Sequence, residues 1–340
     1  MRLTPKTWPT GLRDSLPLVL PTAAIGVSFG LLAEPLLGAI PSIVMSAVVW
    51  SGAAQFGALS ILTAGGSTAL AIGTGLLANM RFLPMGFAIA PSMTSGPLRR
   101  LLAGALITDA SFIIGHREGG RFDVNAIVWA APAQFLGWVG GTAGGALGAT
   151  SIGETTRWGI DVLFPVFYLS LLLPELFPGR KLPRNLRPII VAVLAGAITL
   201  VLTPFAPPGV PVLAAAAAAL IGLRAPRHPV AEARHGRPRM KTWLLIVVLA
   251  VGTVLLKTIG PVLAGGRQPP PALTRVIALI APALISALIV AGTFTHGQRL
   301  VLDARAAGLA VGAILLWFRA PAVVALALAA ITCALLRLVT

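Results

Sequence analysis

Apolar stretches of about 17–25 residues recur along nearly the whole of this 340-residue chain, and each is long enough to cross a hydrocarbon core about 30 Å thick. Lipid offers no partner to unpaired backbone groups, so a crossing segment must close its hydrogen bonds within a helix or within a closed barrel. A barrel strand alternates polar and apolar side chains. Runs such as Leu244-Leu245-Ile246-Val247-Val248-Leu249-Ala250-Val251 show no alternation. The expected fold class is an all-α polytopic membrane protein. Composition points the same way: 56% of residues are hydrophobic and 11% charged, against about 25% charged in a soluble domain.

The net charge of +16 does not imply a nucleic-acid partner. The positive residues sit in short connectors, as expected of loops beside an anionic membrane surface. The bilayer is the expected partner, in a cytoplasmic (inner) membrane. Cys333 is the single cysteine, so no intrachain disulfide and no paired metal site are expected, and no cofactor motif is present. Arg2, Lys6 and Arg13 precede the first apolar run in the manner of a signal peptide, but no small-residue cleavage site follows, so a retained first helix is expected.

The spacing predicts about twelve transmembrane helices, split about 8 + 4. The first eight lie near 16–33, 41–63, 67–92, 98–115, 124–149, 158–176, 188–204 and 208–223. Four more lie near 243–264, 273–294, 299–318 and 320–338. Pro21, Pro84, Pro132, Pro261 and Pro282 interrupt them, each either kinking a helix or breaking it at a transport site. With twelve spans and the N-terminus inside, most lysines and arginines fall on the cytoplasmic side and both termini share that side. Arg99-Arg100 dissents, as a re-entrant segment would make it do. Residues 224–240 are rich in Pro and Arg and read as a cytoplasmic linker, followed at Met240-Lys241-Thr242-Trp243 by a fresh span. The chain thus divides into a unit over 1–223 and a smaller one over 241–340. Two glycine ridges, Gly137/Gly141/Gly145 and Gly140/Gly144/Gly148, have the spacing that lets membrane helices approach closely.

Chemistry is expected where polar residues fall inside apolar spans, because a charge at mid-bilayer costs about 2.5–3.5 kcal/mol on insertion scales. Gln55, Asn79, Arg81, Asp109, Gln134 and Lys257 meet this test. Arg81 and Asp109 fall in neighbouring predicted spans and can form an ion pair, either as a helix tie or as a site for a zwitterion such as an amino acid. Gln55 and Asn79 suit interhelical hydrogen bonds as well as substrate contacts. Lys257 either snorkels to an interface or faces the larger unit. Glu34, Asp161 and Glu175 fall near span ends, and Asp303 with Arg305 opens a span in the second unit. No HExxH, phosphate-binding glycine loop or CxxC occurs, so an enzyme is not expected.

The motifs resemble a known family. SGAAQF at 51–56, Asn-x-Arg at 79–81, TDASF at 108–112 and the GWVGGTAGGALG run resemble AzlC-type permeases of the branched-chain amino acid exporter (LIV-E) family over about 11–223. LLKTIGPVLAGGR, LIAPALISALIV and LDARAAGLAVGAILLWFRAP resemble the small AzlD-type partner over about 241–340. The resemblance implies a fused, one-to-one pair exporting leucine, isoleucine, valine and sometimes methionine. Three positions depart from the pattern: Phe82 where a His is frequent, Ala110 where an acid is common, and Lys257 where an Arg is usual. These bear on substrate and proton coupling more than on fold. The leading expectation is a proton-coupled secondary transporter; a membrane-embedded enzyme acting on a lipid and a passive small-solute channel are the alternatives, and oligomeric state is left open.

Overall fold

The computed structural model describes residues 9–93, 96–117, 121–152, 158–178, 181–183, 185–206, 210–218, 238–263, 271–296 and 298–339. Helices dominate: α1 (Thr10–Leu37), α2 (Ala39–Val49), α3 (Gly52–Thr63), α4 (Thr68–Asn79), α5 (Phe82–Ile89), α6 (Pro97–Ala105), α7 (Asp109–Gly115) and α8 (Val124–Ile152). After them come α9 (Leu163–Leu176), α10 (Arg187–Leu202), α11 (Val210–Ala215), α12 (Pro238–Leu263), α13 (Pro271–Phe294), α14 (Ala304–Trp317) and α15 (Ala322–Val339). Among the described residues, Thr10–Leu37, Thr68–Ser92 and Thr242–Val262 are long and apolar enough to cross a membrane alone. Large apolar side chains such as Leu20, Ile40, Leu136 and Phe205 stand exposed on the outside of the bundle. Water tolerates few such patches, whereas a bilayer solvates them.

Helix α1 defines two ends of the bundle, one beside Arg13 and the other beside Glu34. Helix α8 runs along it in parallel. Gly26 and Gly30 of α1 and Gly141 and Gly145 of α8 let the two backbones touch: a Cβ on Gly141 or Gly145 would collide with the carbonyl of Ala23 or Val27. Only this glycine ridge is used. A Cβ on Gly140, Gly144 or Gly148 would meet nothing within 4 Å, so the second ridge packs against no helix among the described residues. Replacing Gly141 with Ala is therefore expected to cost about 1–3 kcal/mol through overpacking and to lower the thermal midpoint in detergent. Gly144→Ala should leave it unchanged or slightly raised, and equal loss in both variants would contradict this packing.

Two expected spans do not cross. The segment predicted over 41–63 is a helical hairpin: α2 descends from the Glu34 end, and α3 returns to it. The last turn of α3 (Ser60, Thr63, Ala64) shares a cavity wall with Leu32, Pro35 and Leu36 of α1. The segment predicted over 98–115 is a second hairpin, made of α6 and α7, which enters and leaves at the Arg13 end. Its two feet are tied where Phe122 N donates to Ser92 Oγ at 3.0 Å. Helices of 9 and 7 residues rise about 14 and 10 Å, which fits two half-depth legs and not one crossing. This geometry puts Arg99 and Arg100 at the same end as Arg117 and Arg121, which removes the dissent in the charge pattern. The count of twelve and the 8 + 4 split are therefore not what the described residues display.

Helix α12 packs into the larger unit, against α2, α4, α5 and α6, while α13 lies on α9 and α10, and α14 and α15 lie on α9. It runs parallel to α4 and α5, with Leu249 beside Gly75 and Pro261 beside Gly86. Since α4 starts at the Glu34 end, α12 does too. Arg337 near the end of α15 bonds Asp161 at 2.8 and 2.7 Å, also at that end. The starts of α1 and α12 therefore lie at opposite ends, and so do the start of α1 and the end of α15. Twelve full crossings would instead bring the start of α1, the start of α12 and the end of α15 to one end. Of the linker, 224–237 lies outside the described residues and 238–240 forms the start of α12.

Candidate functional site

Three helix breaks meet at the middle of the bundle. Between α2 and α3, Trp50 adopts the left-handed region (φ 41°, ψ 53°) and Ser51 is extended. A bulky residue there costs about 1–3 kcal/mol and persists only where its surroundings hold it. Lys257 does so from α12: its Nζ donates to the Trp50 carbonyl at 3.1 Å and lies 5.2 Å from the Trp50 ring centroid. Phe135 packs edge-on against the same ring at 5.4 Å. Between α4 and α5, Pro84 lacks the N–H that would bond the Met80 carbonyl, so the helix parts at Met80-Arg81. Between α6 and α7, Thr108 and Ser111 form a reciprocal cap, which satisfies the orphan N–H groups of α7. Of the five prolines, only Pro84 marks a break; Pro21, Pro132, Pro261 and Pro282 lie within continuous helices.

The breaks enclose a cavity of about 180 Å³, below the 300–1,000 Å³ usual for drug-sized ligands and so suited to a small solute. Arg81 and Asp109 form its polar side, joined by a 2.7 Å hydrogen bond from Nη2 to Oδ2. The Arg81 side chain is 11% exposed and that of Asp109 39%. Arg81 Nε is buried with no hydrogen-bond partner among the described residues, so the guanidinium has donor capacity in reserve. The first turn of α3 has no side-chain cap, because Ser51 Oγ donates to Asn79 Oδ1 instead. Ile25, Trp138, Phe167 and Leu171 supply the apolar side. Cation and anion thus share a cavity with an aliphatic and aromatic wall.

The six residues expected from sequence divide into two groups. Arg81, Asp109 and Gln134 line the cavity. Gln134 also ties α8 to α1, accepting from Thr22 Oγ1 at 2.7 Å and donating to the Ser15 carbonyl at 3.1 Å. Gln55, Asn79 and Lys257 stand behind the Trp50-Ser51 tip and brace it. Gln55 accepts from Ser51 N and Trp138 Nε1 and donates to Ser46 Oγ. Asn79 accepts from Ser51 and donates to Thr253 Oγ1 at 2.7 Å. Lys257 is 1% exposed and faces the larger unit; it does not snorkel. Asp161, expected near a span end, is paired there with Arg337. Sequence reasoning missed Ser51, Thr108 and Trp138. The Thr108-x-x-Ser111 spacing was a signal for the second, because a capping pattern in the middle of an apolar run announces a new helix start.

Residues 17–152 match the family described as AzlC protein, and residues 242–337 match that described as branched-chain amino acid transport protein (AzlD). The chain is 27% identical over 214 residues to the inner membrane protein YgaZ of Escherichia coli (strain K12), covering 59% of this chain and 84% of that protein. No solved structure matches. The first match contains all three helix breaks and the second contributes Thr253 and Lys257, so the two together show that this chain is a fused AzlC/AzlD-type branched-chain amino acid transport protein.

Proposed function

We propose that the chain exports branched-chain or other small apolar amino acids across the cytoplasmic membrane as a proton-coupled secondary transporter, and that the central cavity is its binding site. The observation that carries this reading is the Arg81–Asp109 pair at the meeting of three helix breaks, with donors unspent beside it. A substrate carboxylate is held by Arg81 and the uncapped first turn of α3, where the helix dipole favours an anion. The ammonium group meets Asp109. The aliphatic side chain packs on Ile25, Trp138, Phe167 and Leu171. Asp109 holds either the ammonium group or a proton, and this exchange links substrate export to proton entry. Residues 1–223 act as the permease unit and 241–340 as its partner, fixed at one to one by the linker. The basic residues at the Arg13 end, including Arg99, Arg100, Arg117 and Arg121, support placing that end in the cytoplasm.

The test is leucine efflux from cells loaded with a leucine-containing dipeptide. Expression of the chain should speed efflux, an uncoupler should abolish the gain, and Asp109→Asn should make the remaining flux indifferent to the uncoupler. An Asp109→Asn chain that exports normally under an imposed pH gradient would remove Asp109 from the coupling.

A further inference from the structure

A second and larger cavity, about 330 Å³, lies at the Glu34 end among the last turns of α1, α3, α10 and α13. An aromatic layer separates it from the central one. Phe56 packs on Phe164 and Phe167 with centroids 4.9 and 4.8 Å apart, and Phe167 packs on Tyr168 at 5.5 Å. Phe167 faces the central cavity, while Phe164 and Tyr168 face the outer one. Along α3 the lining passes from Gly52 to Ser60, about 12 Å of helix rise. The Tyr168 hydroxyl donates to the Ala53 carbonyl at 2.9 Å, so the layer is tied to the first turn of α3 that borders the central cavity.

The outer cavity repeats the chemistry of the central one. Asp161 of the larger unit and Arg305 of the smaller both line it, with Arg305 Nε 3.7 Å from Asp161 Oδ2. That separation is an ion pair but too long for a hydrogen bond, so cation and anion attract each other across the cavity wall without sharing a proton. Arg337 holds Asp161 from behind through two bonds. Arg305 is held by Asp303 and by the carbonyls of Gly292 and Thr295. A guanidinium has five N–H groups; with Nη2 also 2.9 Å from Asp303 Oδ2, these contacts leave, among the described residues, one on Nη1 unspent. Leu32, Phe164, Leu288 and Ala291 form the apolar wall.

We infer that this outer cavity is a second station for the same zwitterionic solute, with the carboxylate at Arg305 and the ammonium group at Asp161. The inference rests on the amino acid reading of the central cavity. The solute passes between stations when the aromatic layer parts, and each station is built from one guanidinium, one carboxylate and an apolar wall. Because Asp161 and Arg305 come from different units, the outer station exists only where both are present.

The experiment measures radiolabelled leucine binding at saturation to the purified full chain in nanodiscs, alongside efflux in cells. The wild type should bind two leucines per chain. Ala291→Phe, which fills the outer cavity, should leave one bound and slow efflux by about tenfold or more; Arg81→Gln should remove the other. Arg305→Gln serves as the second outer variant should Ala291→Phe fail to fold. Efflux with one leucine per chain, unchanged in both outer variants, would overturn the second station alone. Absence of both binding and efflux in the wild type would overturn the amino acid reading and the station with it.

Discussion

Arg81→Gln is expected to reach the membrane and fold, yet to bind leucine at the central cavity roughly 10- to 100-fold more weakly than the wild type. A hydrogen bond to a charged group contributes about 1.5–3 kcal/mol, and each 1.4 kcal/mol is tenfold in affinity. The glutamine keeps an amide donor and much of the volume, so the bundle keeps its packing. What it loses is the cation, and with it the partner of Asp109 at 2.7 Å. That carboxylate is 39% exposed and so does not become a fully buried, uncompensated charge. Scintillation binding on purified protein reads the affinity, and size-exclusion behaviour reads the fold. Unchanged affinity would show that Arg81 ties helices together and does not hold substrate.

Lys257→Met should be nearly as damaging to transport for a different reason. Met follows the lysine chain as far as Cε and lacks only the terminal Nζ, so no large void opens. The Trp50 carbonyl loses its donor and becomes a buried unsatisfied acceptor, at a cost of about 1–3 kcal/mol. The left-handed Trp50 also loses the cation over its ring. The tip of the first hairpin should then leave its set geometry, and efflux should fall by about tenfold or more. Lys257→Arg supplies a donor again and should restore much of the activity. Efflux of the Met and Arg variants, compared at equal membrane level, checks this. Equal activity in Lys257→Met and wild type would mean that the tip holds itself.

The all-α class and the Arg81–Asp109 pair were legible because both rest on local signals. Unbroken apolar runs specify helices, and an ionisable residue inside one needs a partner. The two hairpins were not legible in the same way. A run of apolar residues has the same hydropathy whether it crosses or doubles back at half depth. The break at Trp50-Ser51 has no proline to announce it, and the group that stabilises it sits 207 residues away. Arg99-Arg100 carried the clue to the second hairpin, since a foot resting at the basic end explains them without a span. The two glycine ridges of α8 illustrate the same limit: their spacing is identical, and only the position of α1 decides which is packed. Lys257 was picked out by its burial among apolar neighbours, but its bracing role depends on the backbone it meets.

The aromatic layer between the two cavities also has an electrical meaning. Were each cavity to fill with water from its own side, the membrane voltage would fall mainly across the rings of Phe56, Phe164, Phe167 and Tyr168. A field that would spread over about 30 Å of hydrocarbon is concentrated over about 12 Å of helix rise. One elementary charge crossing it still exchanges about 2.3 kcal/mol per 100 mV, but does so within a displacement of a few side chains. A zwitterion crosses this layer at no net electrical cost, whereas a proton crossing it draws on nearly the full voltage, and the thickness of four rings sets how far it must move to do so.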